Sequence, residues 1–295
     1  MLAALATALI TGLAPARAEA EGPCIHDDLG RRICLEAPAE RVAVLYAAFS
    51  EILAAMDSAD LIAVRTAADD AAPQAQAAGT HMRPNLEILA AAAPDLAVQY
   101  GGRAEAMALA EQLEALGIPT AVFAPRTVDE VYGVIDRLGA LTARNAEARA
   151  LADAMRERIR AVTLRVDAAL AQDGGHRPSV AFEVRSGDLI CAGQGSIVTD
   201  VIRLAGGVNC VAAEERLAHL GLETLLGLDP EVYVIQQGPM NPEPAPLEER
   251  PLYQGMRALL SGRVLVVDEA AYSRPGPSLA QAVEELAAFL HPQQF

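Results

Sequence analysis

Residues 145 to 171, NAEARALADAMRERIRAVTLRVDAALA, contain neither glycine nor proline, and Leu151, Met155, Ile159, Val162 and Val166 recur at intervals of three and four. That spacing lays one apolar stripe along a single helix. At about 1.5 Å per residue the helix is about 40 Å long. QDGGHRP then stops it, and the rod divides the chain into an N-terminal and a C-terminal part.

Both parts show short apolar runs alternating with amphipathic stretches. Before the rod the runs are 41–46, 61–66, 95–100 and 120–125, separated or followed by helical spacing at 85–92, 103–116 and 127–139. A further helix follows the first run, with Ser50 as its expected N-cap. After the rod come the runs 179–185, 231–236 and 263–268. GSIVTDVIRLAGG reads as a helix capped by Ser196 and stopped by Gly206-Gly207, and 278–290 as a terminal helix. Continuous apolar strands between amphipathic helices indicate parallel sheets covered on both faces. The predicted fold is α/β: two Rossmann-like lobes with parallel sheets, joined by one long α-helix. The predicted boundaries are 1–18 for a signal peptide, 19–126 for the N-terminal lobe, 127–173 for the helical segment with the linker, and 174–295 for the C-terminal lobe.

One motif occurs in each lobe. Residues 85–96 read NLEILAAAAPDL and residues 221–232 read GLETLLGLDPEV. Both have Leu-Glu, a leucine two residues after the glutamate, a proline seven after it, an acid after that proline, and then an apolar run. The helix dipole favours a glutamate in a first turn, which is one reason for Glu87 and Glu223.

The N-terminus, MLAALATALITGLAPARA, has an apolar run from Leu2 to Leu13 and a small-x-small ending before Glu19. It reads as a secretory signal, and EAEGPC lacks the pattern of a lipoprotein cleavage site. An exported, soluble, periplasmic chain is expected. Export makes the four cysteines readable as disulfides. Cys24 and Cys34 bracket a hairpin-like segment turning at Gly30, and Cys191 and Cys210 are the remaining pair, with free buried thiols as the alternative. Neither pair has zinc-ligand spacing.

Apolar residues make up 52% of the chain and charged residues 21%, so the chain is globular. The formal charge of −16 opposes nucleic acid and anionic membrane as partners. Every cation is Arg or His. With no lysine there is neither a phosphate-loop lysine nor a Schiff-base lysine. No G-x-S-x-G elbow is present, and GQGSIV lacks the third glycine of a dinucleotide fingerprint. No two histidines stand at metal-ligand spacing. Neither an enzyme nor a resident cofactor or metal is expected.

Ligands of open parallel sheets bind at the carboxyl ends of strands. The candidates there are Tyr46, Phe49, Arg65, Tyr100, Arg103, Arg126, Arg185, Gln236, Gln237, Tyr272 and Arg274, with Arg83 added from the N-lobe motif region. Five arginines at strand ends of an acidic chain imply a basic, partly aromatic cleft. Guanidinium forks suit carboxylates and other oxygen-rich anions.

These stretches together resemble the periplasmic substrate-binding proteins of ABC importers for ferric siderophores, haem and cobalamin. CLEAPAERVAVLYAAFSEILAAM resembles the family's opening strand and helix, and GTHMRPNLEILAAAAPDLAV its N-lobe signature. CAGQGSIVTDVIRLAGGVN and LGLETLLGLDPEVYVI resemble the C-lobe pair. The resemblance implies that Glu87 and Glu223 dock a permease dimer, that the helical linker limits lobe closure, and that a monomer carries a small ligand. An anionic ferric siderophore-type chelate is the favoured ligand. Haem, a corrinoid or an oxyanion such as molybdate stays open, and a free transition metal less so. For haem the axial candidates are Tyr46, Tyr100, Tyr272 and His81.

Overall fold

A computed structural model describes residues 22–102 and 105–295. The proposed signal segment lies outside these residues, as does Arg103. In the N-terminal lobe, strands Gln76–Ala77, Ile62–Arg65, Val42–Val44, Leu96–Tyr100 and Thr120–Phe123 form a parallel sheet in that spatial order. Val42, Ala43 and Val44 are all fully buried, which only a sheet covered on both faces permits. The order reverses at Val42–Val44, whose neighbours come next in sequence on one side and later on the other. The crevice of the lobe therefore opens beyond the carboxyl ends of Val42–Val44 and Leu96–Tyr100.

A hairpin, Cys24–His26 with Arg32–Cys34, covers the free edge of Thr120–Phe123. The Asp28 N–H donates to Val122 O at 3.0 Å, and Arg31 donates to Thr120 O at 2.8 Å. Cys24 and Cys34 stand directly opposite in this hairpin and form a disulfide, as the spacing predicts.

The C-terminal sheet is mixed. Ser179–Arg185, Val232–Gln237 and Val264–Asp268 run parallel, and Val208–Asn209 pairs parallel with Ser179–Arg185. Ile190–Ala192 and Leu217–His219 are antiparallel additions to one edge. This corrects the expectation of purely parallel sheets. The same register separates the other two cysteines. Cys191 sits opposite Glu183, whereas the Cys210 N–H donates to Val180 O at 3.0 Å. The sulfurs are thus offset two to three residues along one strand, about 7–10 Å at ~3.3 Å per residue, beyond disulfide reach. Cys191 and Cys210 are free thiols, Cys191 fully buried.

The rod is one helix, Asn145–Gln172. Its buried stripe, Ala148, Ala152, Met155, Ile159, Val162 and Val166, packs against helix Val128–Leu141 at one end and the terminal helix Leu279–Leu290 at the other. Arg158 pairs with Glu284 of that terminal helix at 2.6 Å. One apolar cluster runs from Ile52 and Leu53 through Leu138, Met155 and Ile159 to Val201 and Leu286, so the lobes and the rod share a core.

The sequence repeat is also a structural one. Asn85 and Gly221 precede seven-residue helices, Leu86–Ala92 and Leu222–Leu228, that end in left-handed residues, Ala93 (φ 44°) and Asp229 (φ 39°). Leu89 and Leu225 anchor them, both fully buried. The acid after each proline ties its strand to the neighbouring strand's start. The Asp95 carboxylate accepts from the Glu40 and Arg41 N–H groups, and Glu231 accepts from the Ser179 N–H at 2.8 Å.

Ser50 is not a cap. The first helix starts at Ala47, directly after Tyr46, because the chain turns into it within two residues of the strand end. Ser50 is buried inside that helix, and its hydroxyl has no partner among the described residues.

Candidate functional site

A cavity of about 330 Å³ lies between the lobes. Its N-terminal wall carries Tyr46, Ala47, Thr66, His81 and Tyr100, and its C-terminal wall Arg216, Pro239, Met240, Glu269, Ser273 and Arg274. Tyr46 is the residue on which the first strand turns into helix Ala47–Ala55, and Tyr100 ends strand Leu96–Tyr100. These are the two strands that flank the reversal of sheet order, so topology brings the two tyrosines together. Their rings stack at 4.7 Å with planes 19° apart. His81, at the turn between Gly79–Thr80 and Arg83–Pro84, meets the Tyr46 ring edge-on at 5.7 Å. Three side chains with oxygen or nitrogen donors thus converge from three separate loops.

Electrostatics keep the Tyr46 phenol protonated. Burial pushes it well above its ordinary range, and the neighbouring Tyr100 adds to this, while Arg216 and Arg274 pull it back. Arg274 bridges the lobes, donating to Glu51 Oε1 of helix Ala47–Ala55 at 3.0 Å. Glu269 accepts from the Met240 N–H at 2.7 Å and so holds that loop against the cavity. Among the described residues, no group of three or more His, Cys, Asp and Glu side chains stands close enough to hold a metal ion.

Of the candidates taken from the strand ends, Tyr46, Tyr100 and Arg274 line this cavity. The other described candidates are placed elsewhere for clear physical reasons. Phe49 is fully buried and packs on Phe123 at 5.7 Å. Arg65 folds onto its own loop, donating to Thr66 O and Asp69 O. Arg83 lines an adjoining, mostly apolar cavity of about 480 Å³ with Met82, Leu86 and Leu109, on the other side of His81 and Tyr100, which border both. Arg185 is consumed by an ion pair with Asp188 at 2.5 Å. Arg126 and Gln237 are exposed. Gln236 is fully buried beneath the cavity and accepts from the Ser273 hydroxyl. Tyr272 is fully buried as well, with its hydroxyl on Glu285 at 3.2 Å.

Arg216, Glu269, Ser273 and Met240 are cavity residues that strand-end reasoning misses. Arg216 precedes Leu217–His219, a three-residue edge strand too short to carry a period. Glu269 and Ser273 belong to a five-residue helix that directly follows strand Val264–Asp268. Glu87 and Glu223 lie away from the cavity, both exposed and both in first turns.

A family model described as periplasmic binding protein matches residues 42–271. The chain belongs to this family. Among relatives of this periplasmic binding protein is the uncharacterized ABC transporter substrate-binding lipoprotein YvrC of Bacillus subtilis strain 168, 25% identical over 217 residues, covering 72% of this chain and 67% of that one. Among solved structures, a periplasmic haem-binding protein from Pseudomonas aeruginosa matches with a TM-score of 0.75 at 22% identity, over 86% of this chain and 93% of that one. The molybdate-binding protein MolA of Haemophilus influenzae matches with 0.78 at 20% identity, over 92% of each chain. The vitamin B12-binding protein BtuF of Vibrio cholerae matches with 0.71 at 21% identity, over 87% and 98%. At these identities the structures share the fold, and the fold is the two-lobed one built around a long helix. No helix among the described residues is long and apolar enough to cross a membrane.

Proposed function

We propose that this protein captures an iron porphyrin, haem or a close relative, in the inter-lobe cavity and delivers it to an ABC permease. The observation that carries the reading is the convergence of Tyr46, Tyr100 and His81 opposite Arg216 and Arg274. A phenolate is a hard, anionic donor suited to ferric iron, and tyrosine is an established axial ligand of haem. The phenol is protonated in the protein alone, so binding iron through it releases that proton. Stacked rings offer a flat apolar wall, and two guanidinium groups across the cavity suit carboxylate side groups. Iron enters as cargo, and no resident cofactor is invoked.

This moves the favoured ligand away from an anionic siderophore. Among the described arginines marked by strand ends, Arg274 lines the cavity, joined by Arg216, so the basic surround they form is narrower than the sequence implies. The aromatic cluster is denser. The haem-binding structural relatives agree with the choice, while the molybdate and vitamin B12 relatives show how widely ligands vary on this fold.

Absorbance titration of the mature protein with haemin tests the ligand, with ferric citrate, a ferric hydroxamate, cobalamin and molybdate in parallel. A saturable Soret shift that Tyr46→Phe weakens at least tenfold is the expected result. A response to one of the others alone would replace the ligand class. The permease contact is assigned to Glu87 and Glu223, because the repeat exposes one acid per lobe in equivalent first turns, as a two-fold partner requires. Replacing both by alanine should abolish uptake while leaving ligand affinity unchanged. Normal uptake would remove that assignment.

A further inference from the structure

Glu51 and Arg274 lie 223 residues apart and join the lobes at 3.0 Å, with side chains 26% and 20% exposed. Arg274 has two demands on it. It lines the cavity, and its charge reaches the Tyr46 phenol. It is also the cation on which Glu51 depends. The other charged groups facing Glu51 are the carboxylates Asp69 and Asp268. Asp69 is fully buried, and its Oδ2 has no partner among the described residues. The backbone at Gly276 closes over the Glu51 carboxyl so tightly that a Cβ there would stand 3.2 Å from Oε2. Glu51 therefore sits in a confined, acid-rich corner with one compensating charge.

We propose that Arg274 is an exchangeable cation. Glu51 holds it across the lobes until an anionic group of the incoming ligand takes it over, and Glu51 then acquires a proton from solvent. The exchange conserves charge in the corner: one guanidinium leaves and one proton arrives. Glu51 thus acts as an intramolecular competitor for the ligand's anion, and Arg274 as the residue that makes capture depend on that anion.

The direction of the pH dependence is set by the same groups. Burial raises the Glu51 pKa above its ordinary value even with Arg274 in place. The Arg274 contact lowers it, and Asp69 and Asp268 raise it again. Without Arg274 only raising influences remain among these groups, so proton uptake accompanies transfer. Acidification removes the competitor and tightens binding.

This inference rests on the proposed function in one respect, namely that an anion-bearing ligand enters between the lobes. The test uses ferric protoporphyrin IX and its dimethyl ester, in which both carboxylates are masked. Wild type, Glu51→Gln and Arg274→Gln are titrated by absorbance at pH 6 and pH 8. Proton uptake is measured by calorimetry in two buffers of different ionisation enthalpy, and thermal unfolding confirms that each variant is folded. Glu51→Gln should bind the free acid about two- to fivefold more tightly than wild type at pH 8, a typical weight for losing a partly exposed ion pair. It should take up fewer protons on binding than wild type. Arg274→Gln should weaken the free acid and leave the ester unchanged. A Glu51→Gln variant that binds no more tightly, or that takes up as many protons as wild type, overturns the exchange while leaving the porphyrin reading intact. Failure of wild type to bind either porphyrin overturns the ligand class, and the exchange with it.

Discussion

The loop that brings Met240 to the cavity is held by a buried ion pair whose removal should be costly. Glu183, on strand Ser179–Arg185, is fully buried. Its carboxylate accepts from Arg250 Nη1 at 2.6 Å and Nη2 at 3.0 Å, and from the Tyr233 hydroxyl at 2.6 Å. Arg250 also donates to Ala245 O at 3.0 and 2.8 Å, so one side chain straps the segment from Gly238 to Arg250 onto the sheet. Arg250→Met keeps most of the aliphatic stem but leaves the Glu183 carboxylate buried with a single donor. Breaking a buried pair from one side costs about 3–5 kcal/mol, mostly the penalty on the charge left behind. At roughly 2–4 °C per kcal/mol for a chain of this size, the unfolding midpoint should fall by about 6–20 °C. The double variant Glu183→Leu, Arg250→Met removes both charges and should recover most of the loss, to within about 2 kcal/mol of wild type. Urea unfolding of the four proteins gives the cycle directly. An Arg250→Met loss below about 1 kcal/mol would refute the reasoning, as would a double variant no more stable than the single one. Because the strap ends at the cavity wall, Arg250→Met should also weaken ligand binding without touching ligand.

Four further outcomes are expected. Opening the Cys24–Cys34 loop, with its separation of 10 residues, by Cys24→Ser, Cys34→Ser should cost about 2.7 kcal/mol from loop entropy, measured by urea unfolding. Thiol titration of unreduced, denatured protein should find two thiols, while native Cys191 should resist modification because burial pushes its thiol up to about 12. Ala93→Gly should raise stability by about 1 kcal/mol, since Ala93 holds a left-handed conformation that glycine adopts without steric cost, and a loss of stability would show that the φ of 44° carries no strain. Glu231 is held below its ordinary pKa. Burial opposes this, but the Ser179 N–H, His176 and Arg257 outweigh it. Its contribution is therefore complete above the unfolded carboxylate pKa and is lost as pH falls through the lower folded value, so Glu231→Gln should flatten the acid limb of a stability–pH profile.

Legibility in the chain alone depended on length and period. The rod and the long strands are legible because a stripe at 3.6 or a run of Val, Ile and Ala persists over enough residues to exclude alternatives. Gln76–Ala77, Val208–Asn209 and Leu217–His219 are two or three residues long and leave no period to detect. Tyr46 and Tyr100 were legible as residues of the inter-lobe cavity because they follow from topology, since the strands that flank the reversal of order must aim their ends at one crevice. Arg65 and Arg185 carry the same sequence signature as Arg274 but find a nearer partner in Asp69 O and in Asp188. No pattern in the sequence ranks a local acceptor against a distant one. The cysteines show the same limit. Cys24 and Cys34 are joined by local hairpin register, whereas Cys191 and Cys210 depend on how two non-adjacent segments align along a third strand.

The core that passes without interruption from one lobe through the rod to the other makes the molecule a caliper with a fixed gap. Its jaws are the two short helices of the repeat, each clamped by one leucine, Leu89 and Leu225, and by one acid, Asp95 and Glu231. Their spacing is set by the shared core and by the Glu51–Arg274 bridge, which reaches the cavity through Arg274. A core shared in this way ties the spacing of the jaws to the packing of the rod, so a partner that touches both helices reads the same packing that holds the two walls of the cavity.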